Sequence, residues 1–128
     1  PMLRGLIAQR LVRRICSDCA RPRDVTHAEA AMVNGQLAVG ETMLAGNGCA
    51  ACDGTGFRGR VALYDLVRVT PDIEAMIAEG ATEADLNAAA QRQSPGLLGD
   101  GIAKIRQGLT VPAEVARVIL DPGTSPLP

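Results

Sequence analysis

Apolar and polar positions are organised most clearly over residues 60–69 (RVALYDLVRV). Val61, Leu63, Leu66, Val67 and Val69 make this segment rich in β-formers and predict a strand. Thr70-Pro71 then sets a helix start with proline at the first helical position. Ile73, Met76 and Ile77 follow at i, i+3 and i+4, and Gly80 ends the helix. Thr82 opens a second helix, with Asp85 three residues on and Leu86, Ala89 and Ala90 as its apolar face; Ser94-Pro95-Gly96 breaks it. A third helix carries Leu98, Ile102 and Ile105 and stops at Gly108. A fourth begins at Thr110-Val111-Pro112 and turns Val115, Val118 and Ile119 inward.

The first half is less regular. Residues 3–15 (LRGLIAQRLVRRI) have an ambiguous period: Leu3, Leu6 and Ile7 fit a helical turn, whereas Ile7, Leu11 and Val12 fit a strand. The reading adopted is a helix end running into a short strand near 9–15. Between 16 and 52 the chain is loop-like. It is interrupted by one short helix at Ala28–Val33, capped by Thr26 with Glu29 in the capping-box position. Residues 121–128 (DPGTSPLP) read as a frayed tail.

Composition limits what these elements can bury. The hydrophobic fraction is 47%, but much of it is alanine, and Phe57 and Tyr64 are the only aromatics. A modest aliphatic core gains from an additional staple. With 13 basic and 14 acidic residues the net charge is −1, so no nucleic acid is expected as a partner. Arg4, Arg10, Arg13, Arg14, Arg21 and Arg23 crowd the first 23 residues and read as a solvated face. No apolar run is long enough to span a bilayer, and Arg10 interrupts any signal-peptide core. An intracellular setting is therefore expected. The abrupt apolar start predicts a piece of a longer protein.

The staple is supplied by Cys16, Cys19, Cys49 and Cys52. Their pattern is C-x2-C, 29 residues, C-x2-C. Two intervening residues let both sulfurs of a knuckle face one ion, and two knuckles complete a closed tetrahedral four-thiolate site, the chemistry of structural zinc. The separation is longer than in a zinc ribbon, so additional structure must fold between the knuckles. Gly48, Gly54 and Gly56 let backbone amides turn toward the thiolates, and Arg14 and Arg21 are placed to offset the charge. Disulfides are disfavoured in an intracellular chain, and a redox pair lacks a βαβ setting. A four-cysteine iron–sulfur site remains chemically open. The single His27 reads as a surface residue, because four cysteines already close the site.

Gly54-Thr55-Gly56-Phe57-Arg58-Gly59 matches G-x-G-x-x-G literally, but it follows a metal knuckle and opens a strand, the wrong context for a dinucleotide. There is no G-x-x-x-x-G-K-[ST], H-E-x-x-H or G-x-S-x-G in the chain, so no catalytic residues are assigned.

Four stretches taken together resemble one family. They are Ala8-Gln9-Arg10-Leu11-Val12-Arg13 before Cys16-x-x-Cys19; Gly48-Cys49-x-x-Cys52; Gly56-Phe57-Arg58-Gly59-Arg60-Val61-Ala62-Leu63-Tyr64-Asp65-Leu66; and Asp100-Gly101-x-x-Lys104-x-x-x-Gly108-x-Thr110-x-x-x-Glu114-Val115. In this order they are similar to the C-terminal region of type II secretion and type IV pilus assembly ATPases, with Asp65 where that family usually has glutamate. The resemblance implies a hexameric ring protein that uses ATP and Mg²⁺ through a RecA-like core upstream of Pro1. It implies work on an inner-membrane secretion or pilus platform from the cytoplasmic side, peripherally associated with the membrane.

The implied divisions are 1–15 as the end of the RecA-like core, 16–57 as a tetracysteine zinc-binding insertion, 58–69 as the return strand, 70–120 as a C-terminal helical subdomain and 121–128 as the tail. The expected fold class is α+β, mainly α: a short antiparallel strand pair with an inserted zinc module, then a small helical bundle. A free-standing zinc-ribbon-like binding module of chaperone or nucleic-acid type is the alternative, disfavoured by the near-neutral charge and scarce aromatics.

Overall fold

A computed structural model describes residues 5–93 and 96–119. Its elements run β1 (Gly5–Ile15), β2 (Ala20–Asp24), α1 (His27–Met32), β3 (Thr42–Gly46), β4 (Phe57–Arg68), α2 (Pro71–Ala78), α3 (Glu83–Gln93), α4 (Gly96–Arg106) and α5 (Pro112–Ile119). A 3-10 turn at Ala50–Cys52 precedes β4. The strands form two antiparallel two-stranded sheets, β1 with β4 and β2 with β3. The architecture is thus mixed, with five α-helices among the described residues, rather than mainly helical.

Two expectations change. Leu6 and Ile7 lie in β1, not in a helical turn, because β4 offers 12 residues of backbone for pairing and β1 uses 11. Propensity at such a short ambiguous run is decided by the partner strand. The expected loop around α1 instead contains the antiparallel pair β2/β3. Ala20–Asp24 (ARPRD) has no β-forming signature, and Pro22, opposite Leu44, gives up a ladder donor. The expected tail at 121–128 and the break at Ser94-Pro95 lie outside the described residues.

Helix starts follow the sequence signals closely. Thr26 and Glu29 form the reciprocal capping box of α1, and Thr70 caps α2 through Ile73 N at 3.4 Å with Pro71 next in line. Thr82 Oγ1 accepts from Asp85 N at 3.1 Å at the start of α3.

In the β1/β4 ribbon Val12 faces Val61 and Arg10 faces Leu63, while Ile7–Leu66, Gln9–Tyr64, Leu11–Ala62 and Arg13–Arg60 alternate onto the other face. The register shifts between Arg13 and Ile15. That irregularity turns Ile15 inward beside Val12 although the two are an odd number of residues apart, and it delivers Cys16 to the ribbon's end.

One aliphatic core then joins the ribbon (Val12, Ile15, Leu63), the stretch between its strands (Val25, Val33, Leu37, Met43) and the last two helices (Ile102, Ile105, Val111, Val115). Gly101 lets α4 and α5 close together: a Cβ there would sit 2.5 Å from Val115 Cγ1.

Both outer edges of the ribbon are closed by carboxylates from these helices. On β1, Arg13 N donates to Glu114 Oε1 at 2.7 Å, Thr110 Oγ1 donates to Arg13 O at 2.9 Å, and Ile15 N donates to Leu109 O at 2.9 Å. On β4, Tyr64 N donates to Asp100 Oδ2 at 2.7 Å, and Lys104 Nζ holds the other oxygen of Asp100 at 3.0 Å. Gln9–Tyr64 and Arg13–Arg60 are pairs whose amides point away from the partner strand, so these groups would otherwise be a template for another strand.

Candidate metal centre

The site is assembled where the ribbon, the β2/β3 sheet and the 3-10 turn meet. Cys16 follows β1 directly and is fixed by donating its N–H to Gly56 O at 2.9 Å. Cys19 precedes β2, and Asn47 N donates to its carbonyl at 3.2 Å. Cys49 and Cys52 bracket the 3-10 turn, with Gly54 N donating to Cys49 O at 2.8 Å and Thr55 Oγ1 to Cys52 O at 2.8 Å.

Two glycines make the assembly possible. A Cβ at Gly46 would collide with the Gly56 carbonyl, and Gly56 itself adopts φ of 82°, in the left-handed region.

Cys16, Cys19 and Cys52 are buried and Cys49 is half-buried; all four are free thiols. Their sulfurs all lie within 4.8 Å of one another. Cys16–Cys49 and Cys49–Cys52 are 3.7 Å apart, and Cys19–Cys52 is 3.8 Å. A tetrahedral ion with metal–sulfur bonds of ~2.3 Å requires sulfur separations of about 3.8 Å, so the donor set fits such an ion. A disulfide requires ~2.05 Å.

The backbone adds positive partial charge. Gly48 N donates to Cys19 Sγ at 3.3 Å, and Cys49 N and Gly56 N donate to Cys52 Sγ at 3.3 and 3.1 Å. Burial works against a thiolate at Cys52, but these two amides, together with hydrogen bonds from the Cys49 and Cys19 thiols, outweigh it and hold the thiol down at about 6. Burial dominates at Cys19 and pushes its thiol up to about 11. Cys19 and Cys52 are thus electrostatically unequal, and a bound cation would favour the thiolate form of its ligands.

The sequence-predicted ligands are brought together, and the amides of Gly48 and Gly56 turn to them as expected. Gly54 serves a carbonyl instead. The expected roles of Arg14 and Arg21 are not seen: both are exposed, and among the described residues neither bonds a sulfur; Arg21 Nη1 donates to Ala20 O. His27 is exposed and is not part of the cluster. Sequence reasoning missed the charged buttress beside the site. Glu114, only 3% exposed, receives Arg13 Nε and Nη2 at 3.2 and 3.0 Å and Arg117 Nη2 at 3.1 Å. The guanidinium of Arg13 lies 4.1 Å over the Phe57 ring. The signal was present in the spaced Thr110 and Glu114, whose partner on β1 lies about a hundred positions away.

No helix among the described residues is long and apolar enough to cross a membrane. Comparison with known proteins gives a consistent picture. The chain is 33% identical to the type II secretion system protein E of Pseudomonas aeruginosa over 114 residues, which is 89% of this chain and 23% of that protein. It is 38% identical over 117 residues to the putative type II secretion system protein E of Escherichia coli, covering 91% of this chain and 24% of the relative. It is 34% identical over 120 residues to the type IV pilus assembly ATPase PilB of Thermus thermophilus, covering 90% and 13%. The chain therefore spans about a quarter or less of the length of these relatives. The family model for type II/IV secretion system proteins matches residues 1–117, and the chain belongs to that family.

Proposed function

We propose that this chain is the zinc-binding C-terminal part of a hexameric cytoplasmic ATPase that powers type II protein secretion or type IV pilus assembly. In this reading Cys16, Cys19, Cys49 and Cys52 hold one structural zinc ion. The observation that carries it is the sulfur geometry, three separations of 3.7–3.8 Å in a closed four-thiolate set, within a chain of this family. Four cysteines leave no coordination position for water or substrate, so the ion's contribution is to folding.

Residues 16–57 act as an insertion between neighbouring strands, and zinc closes its two ends. ATP and Mg²⁺ are used elsewhere in the whole protein, since this chain has no phosphate-cradling loop. Its role is structural and interactive: it presents a rigid surface to a neighbouring subunit or to an inner-membrane secretion or pilus platform, which would hold the machine peripherally at that membrane.

Metal analysis tests this directly. The purified chain should carry about one zinc per molecule, and cobalt substitution should give the intense thiolate-to-metal charge-transfer bands and visible spectrum of a tetrahedral tetrathiolate site. An iron–sulfur chromophore, or a protein that remains metal-free when refolded with zinc, overturns the metal assignment. ATP hydrolysis by the chain itself overturns the assignment of the chemistry to other parts of the protein.

A further inference from the structure

Two of the chain's three asparagines precede glycine, in Asn34-Gly35 and Asn47-Gly48. Asn-Gly is the pair in which a backbone amide most readily attacks the preceding side chain, because glycine has no Cβ to hinder the approach. Both pairs lie in the stretch between the ribbon strands, but different groups hold them. Gly35 N donates to Ala30 O at 2.8 Å and closes the end of α1, where Ala30 and Val33 pack into the aliphatic core. Gly48 N donates to Cys19 Sγ at 3.3 Å, and Asn47 N donates to Cys19 O at 3.2 Å. The first pair is fastened by apolar burial, the second by a cysteine of the metal centre.

Reaction at the second pair requires the Gly48 amide to leave that sulfur. Its nitrogen bonds to Asn47 Cγ, the amide proton goes to solvent, and the side-chain nitrogen leaves as ammonia, giving a five-membered succinimide. Water then opens the ring at either carbonyl, to aspartate or to isoaspartate. The net change is water taken up and ammonia released, with no oxidant or reductant. The isoaspartate product routes the backbone through the former side chain and lengthens it by one methylene directly before Cys49. The loop has no room for that atom. Gly48 holds φ at 95°, a Cβ on it would lie 2.8 Å from Gly54 O, and a Cβ on Gly46 would collide with the Gly56 carbonyl.

We propose that Asn47-Gly48 is a deamidation site gated by the metal. While one ion joins the four cysteines, the Gly48 amide stays on Cys19 and the loop is too rigid for ring closure. Once the ion is lost, the amide is released and the reaction follows. Loss of metal thereby becomes one-way, since the isoaspartyl chain cannot return Cys49 to Cys16, Cys19 and Cys52. Such gating rests on the zinc-binding reading above.

Ageing the chain in mildly alkaline ¹⁸O-labelled water tests it, zinc-loaded against chelator-stripped, both under reductant. Peptide mapping with electron-transfer fragmentation locates the label and separates aspartate from isoaspartate. Label should enter position 47 about tenfold or more faster in the stripped chain, as expected of a reaction that proceeds only from a locally opened state. Asn34, held by the core, should change by less than about twofold. Given zinc after ageing, the stripped chain should fail to rebind it in proportion to its isoaspartate. Asn47→Gln, aged alike, should rebind it, because glutamine must close a less favourable six-membered ring. Equal acceleration at both asparagines overturns the gating, since it would mean general unfolding. Full rebinding by a heavily isoaspartyl chain overturns the one-way step. Fresh chain that takes up no zinc fails the metal reading itself, whereas zinc uptake that leaves the rate at Asn47 unchanged fails the gating alone.

Discussion

The cysteine cluster and the aliphatic core lie side by side and close the same stretch of chain by different physics. The core unites strands and helices through Val12, Leu63, Ile105 and Val115, all nearly inaccessible, and each of these side chains is stabilised simply by leaving water. The cluster consists of four small thiols, three of them buried, with little apolar area to contribute. Sulfurs crowded within 4.8 Å cannot all be thiolates without a cation between them. The core is stabilised by burial alone, whereas under the proposed reading the cluster depends on an ion.

Metal removal should break that comparison most completely. Structural zinc contributes about 10–16 kcal/mol apparent in isolated zinc modules. Strong chelation, or Cys52→Ser, should therefore release the segment around Gly46–Gly56 and the Cys16–Cys19 knuckle. Hydrogen exchange is the discriminating measurement. Amides at Cys16, Cys49 and Gly56 should lose protection, while those of Ile105 and Val115 keep more of theirs. Equal loss at both places would mean that the core is not independent of the ion.

The converse experiment is Ile105→Ala. Ile105 is 1% exposed within the shared core, and such a truncation costs about 2–5 kcal/mol. Urea unfolding should show that loss while bound zinc stays near one per chain. A parallel fall in zinc affinity would tie the two regions more tightly than the separate clusters indicate.

The two regions also differed in how far the sequence revealed them. The cysteines were legible because a ligand must be a particular atom type at a particular spacing, and Cys16, Cys19, Cys49 and Cys52 do meet. Helix starts at Thr26 and Thr70 were legible because capping is local, and the start at Pro112 because proline suits the first helical position. What stayed hidden depends on partners distant in sequence. Gly5–Arg10 extends as a strand because β4 is there to pair with it, and Ala20–Asp24 becomes a strand despite Pro22 because Thr42–Gly46 lies opposite. Glu114 is buried against Arg13, a partner about a hundred positions away in sequence. Only the fold reveals what Asp100, Gly101, Thr110 and Glu114 do as a spaced set: they dock the last two helices onto the ribbon's edges and onto each other.

Gly101 sharpens this point at a smaller scale. Gly101→Ala places a methyl against Val115 and should cost about 1–3 kcal/mol through overpacking. Val115→Ala alone also destabilises, by opening a cavity. The double variant should recover part of the sum, because the added methyl occupies space the valine gave up. A double-mutant cycle in urea checks this, and strict additivity would mean that α4 and α5 do not meet at this pair.

The smallest expected effect concerns Glu114, and it carries a pH signature the cysteines do not share. Burial alone would raise its carboxyl, but the Arg13 guanidinium and backbone N–H, with Arg117, outweigh burial and hold it below the usual carboxylate range. A carboxylate with a depressed folded-state pKa contributes stability that is fully present above its unfolded pKa and is lost as pH falls through the folded one. Arg13 and Arg117 are each about half exposed, so solvent screens both partners. Glu114→Gln should then cost only about 1–2 kcal/mol at neutral pH. That difference should shrink as pH falls below the ordinary glutamate range, since the wild-type carboxyl becomes neutral as well. Acid also releases metal by protonating thiolates, but it does so in both proteins, so the difference between their unfolding curves isolates the carboxylate. A gap that stays constant from pH 7 to pH 3 would show that Glu114 acts through its shape and hydrogen bonds rather than its charge, and the edge of β1 would then be closed without an electrostatic contribution.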